Sequence, residues 1–435
     1  MLETLDLANI ISEQFMSGCK NELKMGIEFE RIPIDINTHE SVPYDGENGI
    51  CRILKDFSRM ECWDYITDNG VIIGLQNDND TITLEPGCQF ELSLEPNESI
   101  GMIKNKIDRL NQKLTPILKK HNVKLLEYGI SPKTTYRHVG LLPKRRYHLM
   151  ANYLWGILSD VMMRETAGIQ ICIDFKSEHD AIRKFRLANI LSPFVTAMCA
   201  NSPIRGGVDT GYKSFRALSW LNTDNERCGF ACNLDDDFSF EKYIDAVIKS
   251  PVILLNKDDN VFDINGEMDF EQYMKEGFGG YDAVIEDFML HANLYFPEVR
   301  LRNFIEIRNH DCTSVQYSLL AIYKGILYNE TAMNDIEELL KLYSHPDISD
   351  LRYSVPKSAL QTKIKKFYVG DIAKEIINIA EHGLEASDET KFLEPIKEYT
   401  MKGLCPADVI LRNWNGSWNK DISKLIKYIL DKKSL

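Results

Sequence analysis

The sequence predicts an α+β fold, an antiparallel sheet with helices packed on it, and three observations carry that expectation. Several short runs alternate apolar and polar residues with the period of a half-buried strand, beginning with MGIEFERIPID at residues 25–35. Segments of helical period lie between these runs. Beyond about residue 312 only helix and loop are legible, so residues 313–435 read as a helical layer on the 1–312 body, one structural unit.

The first twenty residues suit a short amphipathic helix, followed by the strand at 25–35. Val71 to Leu75 and Thr81 to Leu94 predict an antiparallel pair joined by the turn-forming Asn77-Asp78-Asn79-Asp80. From Asn97 the spacing turns helical, with Met102, Ile103, Ile107, Leu110, Leu114 and Leu118 on one face and Asn97 or Ser99 as cap. Leu125 to Tyr128 is a short strand, 132–146 a loop, and Tyr147 to Met163 a helix. Gly168 to Phe175 alternates again and runs into a long helix from His179 to Ala200. After a glycine-rich loop at 206–211, Phe240 to Lys249 and Met268 to Lys275 fit short helices, and Phe296 to Arg308 holds the last strand.

Composition excludes several classes. A formal net charge of −14 with no Lys/Arg stripe argues against nucleic-acid partners, and the triplet Lys144-Arg145-Arg146 reads as a solvated loop. No apolar run approaches the roughly 18 residues of a membrane span. The acidic first fifteen residues do not resemble a signal or transit peptide, which leads to the expectation of a cytoplasmic protein, monomeric or homodimeric, with small-molecule partners. The ten scattered cysteines read as core residues or free thiols.

Residues i and i+2 of a strand share a face. Four strands thereby collect polar groups: Glu28 with Glu30, Gln89 with Glu91 after Glu85, Gln170 with Asp174 beside Cys172, and Glu306 with Arg308. An ordinary solvated face is the plain alternative for any one strand, but such faces mix Lys, Thr and Ser with acids. Like charges on neighbouring strands cost free energy unless cations neutralise them, and Mg²⁺ is the hard ion that prefers carboxylates and bridges to phosphates. Arg300, Arg302 and Arg308 supply positive charge for a phosphoryl group, with Arg308 inside the site and Arg302 at the surface. Arg216 and Arg227, near Trp220, could contact substrate or serve structure. No P-loop or GxGxxG is present, and His138 and His148 read as structural.

These residues resemble the glutamate-cysteine ligases of the plant and proteobacterial type, within the glutamine synthetase-like carboxylate-amine ligases. The matching segments are MGIEFE (25–30), TLEPGCQFELS (83–93), PKRRYHLMANY (143–153), IQICIDFKSE (169–178), ANSPIRGG (200–207), FRALSWLNTDNERCG (215–229), FPEVRLRNFIEIRNHD (296–311) and ILRNWNGSW (410–418), in the family's order. The resemblance implies a curved, half-open-barrel sheet with helices outside and the active site in its bowl. It implies that Glu28, Glu30, Glu85, Glu91, Glu306 and Gln170 hold two or three Mg²⁺ ions that clamp ATP, and that Arg308 binds the transferred phosphoryl group. It also implies that Arg300, Arg216, Arg146, Tyr147, Met150 and Trp220 line the amino-acid pockets, with Arg308 and Glu306 closest to the chemistry.

The implied reaction joins the γ-carboxylate of glutamate to an amine through a γ-glutamyl phosphate, with cysteine the expected acceptor and another amine, or an inactive regulatory relative, as alternatives. Two departures stand out: Cys172 replaces the usual Asn, and the family's double glycine becomes Gly87-Cys88. The plant enzyme's chloroplast-targeting extension is not legible here, in line with the cytoplasmic expectation.

Overall fold

A computed structural model describes residues 4–231, 238–258 and 260–432. The strands are β1 (Met25–Asp35), β2 (Asp64–Asp68), β3 (Val71–Asn77), β4 (Asp80–Leu84), β5 (Phe90–Ser93), β6 (Val123–Leu126) and β7 (Gly168–Ile173). The hairpin β8 (Ile204–Arg205) and β9 (Val208–Asp209) follows, then β10 (Cys228–Gly229) and the hairpin β11 (Leu254–Lys257) and β12 (Asn260–Asp263). Then come β13 (Phe296–Pro297), β14 (Val299–Leu301) and β15 (Ile305–Asp311), and a two-residue hairpin of β16 (Lys363–Ile364) and β17 (Phe367–Tyr368) interrupts the carboxy-terminal helices, where only helix and loop were expected.

Nine of these build one sheet in the order β14-β15-β7-β1-β5-β4-β3-β2, with β6 also paired to β1. Every pairing within it is antiparallel, and the sheet is open, with β14 and β2 at its ends. The eleven-residue β1 is the hub: its first half pairs with β7 and its middle with β5, while Ile32–Asp35 pair with β6.

The alternation read from the sequence decides which way each strand faces. Ile27, Phe29, Phe90, Leu92, Ile169, Ile171, Ile305 and Ile307 are at most 1% exposed and form the dry side. Burying such side chains contributes roughly 1.5–3 kcal/mol each. The chain's helices include α1 (Thr4–Met16), α2 (Ile50–Glu61), α3 (Ile100–Lys120), α4 (Arg145–Tyr153), α5 (Ser159–Glu165), α6 (Glu178–Cys199) and α7 (Phe215–Leu221). They continue with α8 (Phe240–Ile248), α9 (Phe270–Glu276), α10 (Ile285–Asn293), α11 (Gln316–Leu327), α12 (Glu330–Leu340), α13 (His345–Ser358) and α14 (Val369–Gly383). α6 packs on β14 and β15, and α11 touches β7, α3 and α6, so residues past 313 share the core of the sheet.

The differences from the sequence reading have local causes. Thr81 to Leu94 is two strands, because Pro86 lacks an N–H for the ladder and Cys88 turns the chain with φ +65°. That left-handed value is one that favours glycine, in line with the double glycine the resemblance implies. Ser99, rather than Asn97, accepts from the Met102 N–H and caps α3, and Met102 faces solvent at 57% exposure. Tyr147 to Met163 breaks between α4 and α5, where Gly156 sits against the Asn222 and Thr223 carbonyls too closely for any side chain. Phe296 to Arg308 divides into β13, β14 and the start of β15. The segment 50–68, unassigned from sequence, forms α2 and the edge strand β2, and a hairpin forms at 254–263. The nine described cysteines are free, and Cys232 lies outside the described residues. Among the described residues no helix is long and apolar enough to cross a membrane.

Ile171, fully buried at the centre of the dry face, anchors β7 beneath the polar side. Ile171→Ala is expected to lower unfolding stability by roughly 2–5 kcal/mol. A urea titration with an unchanged midpoint and slope would show that this face does not hold the sheet together.

Candidate active site

The antiparallel register lays the polar side chains in one row across the sheet. Thr83 lies opposite Glu91, Glu91 opposite Glu30, Glu28 opposite Gln170, and Cys172 opposite Glu306, which in turn faces Arg300. This row floors a cavity of about 290 Å³. Glu28, Glu30, Glu85, Glu91, Gln170, Arg300 and Arg308 line it from the sheet side, and α4 adds Lys144 at its N-cap, Arg146, Tyr147 and Met150. Trp220 of α7 is also on its wall.

The charges separate into two sets. Glu306 is gripped by arginines: Arg300 donates from Nε to Oε2 at 2.6 Å and from Nη2 to Oε1 at 2.9 Å, and Arg308 Nη1 donates to Oε1 at 2.6 Å. Burial alone would raise the Glu306 carboxyl, but Arg300 and Arg308 outweigh it and hold it down at about 2. Arg308 also donates to Gln170 Oε1, and the Gln170 amide donates to Glu30 Oε1 at 3.1 Å. The Gly168 N–H holds the other Glu30 oxygen at 2.5 Å. Two residues of β15, Arg308 and Asn309, stand where β7 offers Gln170 alone, a β-bulge that sets the angle of the Arg308 side chain.

The second set is Glu28, Glu85 and Glu91. Burial, followed by the charges of Glu306 and Glu30 respectively, pushes Glu28 and Glu85 up to about 7. Burial and then Glu28 raise Glu91 well above the ordinary range, against the Thr83 hydroxyl that donates to it at 2.6 Å. Among the described residues, the ion pairs on this face are those of Glu306 with Arg300 and Arg308, and these three carboxylates enter none.

Among the described residues, no three acidic, His or Cys side chains converge as a closed metal cage. Mg²⁺ does not require one, since it keeps waters and binds through one or two carboxylates plus phosphate oxygens. Buried, cation-free carboxylate oxygens are the donor type such an ion takes, so the residues fit the group.

Other residues named from sequence take varied places. Arg216 enters from α7, 3% exposed, and donates from Nη2 to the Arg308 carbonyl at 3.0 Å. Its guanidinium lies where a Gly168 side chain would stand, 2.3 Å from the Cβ position, so any side chain at 168 would push the guanidinium aside. Arg227 is structural: it pairs with Asp224 at 3.1 Å and donates to the Leu294 and Pro251 carbonyls. Arg302 is half-buried rather than at the surface. Of the basic triplet only Arg145 is solvated, whereas Lys144 and Arg146 line the cavity, which corrects the loop reading. Gln89 braces the Gly87 N–H and the Met163 and Thr166 carbonyls. His138 and His148 are exposed and outside the cavity. Glu298 and Asn309 were not singled out from sequence, where nothing but their adjacency to named residues marks them.

An open antiparallel sheet whose concentrated carboxylates face fixed guanidinium groups defines a class, the ligases that activate a carboxylate with ATP. The family described as glutamate-cysteine ligase family 2 (GCS2) matches residues 24–427, and the chain belongs to that family. It is 31% identical over 427 residues to glutamate-cysteine ligase B, chloroplastic, of Oryza sativa subsp. japonica, covering 95% of this chain and 85% of that one. It is also 31% identical over 426 residues to the chloroplastic glutamate-cysteine ligase of Nicotiana tabacum, covering 95% and 81%. Among solved structures, the fold is similar to glutamate-cysteine ligase from Francisella tularensis in complex with AMP, with TM-score 0.58, 14% identity, and coverage of 96% of this chain and 90% of that one. A bifunctional glutathione synthetase from Pasteurella multocida shares the fold at TM-score 0.54 and 10% identity, over 98% of this chain and 55% of that one.

The chloroplastic relatives overturn the cytoplasmic expectation. A folded body carries no physical mark of its compartment, so the acidic opening residues were no guide to it.

The raised carboxylates set a sign for pH. Glu28 and Glu85 bind protons more tightly folded (about 7) than unfolded, so between roughly pH 4.5 and 7 the native state holds more protons and ligand-free stability falls as pH rises. Glu91→Gln keeps the oxygen that accepts from Thr83 and removes one repelling charge. At pH 8 it is expected to stabilise the ligand-free protein by about 1 kcal/mol while cutting ADP release at least a hundredfold. A melting temperature that drops at pH 8 would count against charge crowding as the dominant effect.

Proposed function

We propose that this chain forms the amide between the γ-carboxylate of L-glutamate and the amino group of L-cysteine, with ATP hydrolysed to ADP and phosphate. The observation that carries the reading is the row of buried carboxylates free of ion pairs beside Arg300, Arg308, Lys144 and Arg146 in one cavity. Anionic oxygens beside fixed cations suit a nucleotide's triphosphate bridged by divalent metal.

In this reading Glu28, Glu30, Glu85 and Glu91 would hold two or three Mg²⁺ ions, which would supply the positive charge that neutralises phosphate oxygens. Gln170 and Glu306 act through Arg308, whose orientation they fix, because their oxygens already accept from guanidinium. The glutamate γ-carboxylate attacks the γ-phosphorus, the bond to the β-phosphate oxygen breaks, and γ-glutamyl phosphate and ADP form. Arg308 stabilises the equatorial oxygens during this in-line transfer. The acceptor's amine then attacks the acyl carbon, phosphate departs, and the amine proton leaves with it. Neither step calls for a side-chain nucleophile, and rate derives from positioning and charge. Arg146, Tyr147, Met150 and Lys144 form the wall across which substrate specificity is expressed.

The test is an ADP-release assay with ATP, L-glutamate and a panel of amines, products identified by mass. Cysteine is expected to give the highest kcat/KM and γ-glutamylcysteine as product. A different preferred amine would move the acceptor assignment, and ADP formation independent of both amino acids would remove the ligase reading. Chelation by EDTA is expected to abolish turnover and excess Mg²⁺ to restore it. Arg308→Lys, which loses the forked geometry, is expected to lower kcat at least a hundredfold with a smaller change in KM for glutamate.

A further inference from the structure

Glu298 stands between β13 and β14 with its backbone and carboxylate both engaged, and each partner belongs to a different element. Its N–H donates to the Gly229 carbonyl of β10 at 2.7 Å, and its carbonyl accepts from the Arg308 N–H of β15 at 2.8 Å. Its carboxylate accepts from the Ser192 hydroxyl of α6 through Oε2 and from Arg352 Nε of α13 through Oε1. The side chains of this ion pair, Glu298 and Arg352, are 19% and 9% exposed, so solvent screens them little. The Arg352 guanidinium is seated as well as paired. It lies against Gly229, where an added Cβ would come within 2.4 Å of Nη2, and 4.5 Å from the centre of the Phe230 ring. Gly229 has φ +108°, a backbone conformation that favours glycine, so the seat is built into β10.

What this pair supports is Arg308. β15 slips against β7 between Ile307 and His310, so Arg308 and Asn309 have no partner in the β7 register. They are held from the flanks instead. Glu298 takes the Arg308 N–H, and Arg216 Nη2 donates to the Arg308 carbonyl at 3.0 Å. Asn309 Nδ2 donates to the Ser192 carbonyl at 2.8 Å and to Thr196 Oγ1 at 2.7 Å. Ser192 thus braces the bulge twice, through its hydroxyl to Glu298 and its carbonyl to Asn309. Arg352 completes the hold from α13, which contributes no residue to the cavity above the carboxylate row. From this backbone the Arg308 guanidinium reaches Glu306 and Gln170. Misplacing a group that works by position by about 1 Å costs on the order of a hundredfold in rate. We infer that the Glu298–Arg352 ion pair is a positioning device for phosphoryl transfer, which fixes the bulge and so aims the Arg308 guanidinium. The helical layer beyond residue 313 thereby enters the rate of the reaction as well as the stability of the fold. The inference rests on the ligase reading for the step that Arg308 serves.

Two variants test it: Arg352→Ala removes the pair, and Arg352→Lys keeps the charge while losing Nε and the flat seat. Each is made in the wild type and in Arg308→Lys, its folding verified by thermal melting, and assayed for kcat and for KM toward ATP, L-glutamate and L-cysteine. Arg352→Ala is expected to lower kcat at least tenfold and Arg352→Lys about threefold, with every KM within about threefold. In the Arg308→Lys background Arg352→Ala is expected to cost less than about threefold further, because a group that acts through Arg308 has nothing left to aim. An undiminished kcat in folded Arg352→Ala, or the full tenfold loss repeated in the Arg308→Lys background, overturns the inference. Hydrogen exchange of the ligand-free protein gives a readout independent of turnover. The Arg308 amide is expected to exchange at least tenfold faster in Arg352→Ala while the amides of β1 keep their wild-type rates, and an unchanged Arg308 amide also overturns the inference. If Arg352→Ala does not fold, Arg352→Lys decides by the same measurements. A wild type that releases no ADP with any amine defeats the ligase reading, whereas an active wild type whose Arg352→Ala variant keeps its kcat defeats this inference alone.

Discussion

Crowding of negative charge on one face of a sheet is the constraint around which this molecule is arranged. Glu28, Glu30, Glu85 and Glu91 meet because antiparallel register and strand alternation leave their side chains nowhere else to go, with β1 contributing two of them two residues apart. An isolated protein can relieve that repulsion by binding protons, which is why Glu28 and Glu85 hold theirs up to about 7. It can also relieve it with cations from outside. Two guanidinium groups of the same face, those of Arg300 and Arg308, are engaged by Glu306 instead. The division keeps the carboxylates open and the arginines fixed, so neither set has to break an ion pair with the other before substrate arrives.

How far this was legible in the sequence depended on the kind of signal. Alternation of Ile27, Phe29 and Glu28, Glu30 assigned faces correctly because a half-buried strand imposes its period on composition. The helix of α3 was legible for the same reason, with its cap narrowed to Asn97 or Ser99 and decided only by the hydrogen bond that Ser99 accepts. What alternation does not encode is where a strand stops, so Thr81 to Leu94 read as continuous although Pro86 interrupts it. In segment 50–68 the helical spacing of Ile50, Ile53, Leu54 and Phe57 was a legible signal that went unused, whereas the five-residue, largely exposed β2 carries little alternation to read. At the site, residue identity marked the carboxylates and Arg308. It did not reveal that Glu306 and Gln170 would be engaged by Arg308, because that depends on which strand lies beside β7. Nor did it reveal Asn309, whose significance lies in the bonds its amide makes to α6.

The helical residues beyond 313 share in the same arrangement. Arg352 of α13 reaches Glu298, two residues before Arg300, and Asp311, at the end of β15, accepts from the Ser202 and Ser214 hydroxyls and the Asn201 N–H. Buried acceptors with three donors are costly to disturb. They tie the loop that delivers α7, and with it Arg216 and Trp220, to the strand that delivers Arg308.

The bulge in β15 gives this strand an unusual reach. In a regular strand neighbouring residues point to opposite sides, yet Arg308 and Asn309 are consecutive and both border a smaller cavity of about 40 Å³ that adjoins the one above the carboxylate row. One extra residue thus lets a single strand speak to two compartments at once. An engineer who shortened β15 by that residue would obtain a tidier ladder and a poorer tool: pairing with β7 would become continuous, and the guanidinium and the amide would be parted by the thickness of the sheet. The fault in the lattice is what lets the cavity above the carboxylate row and its smaller neighbour share one strand.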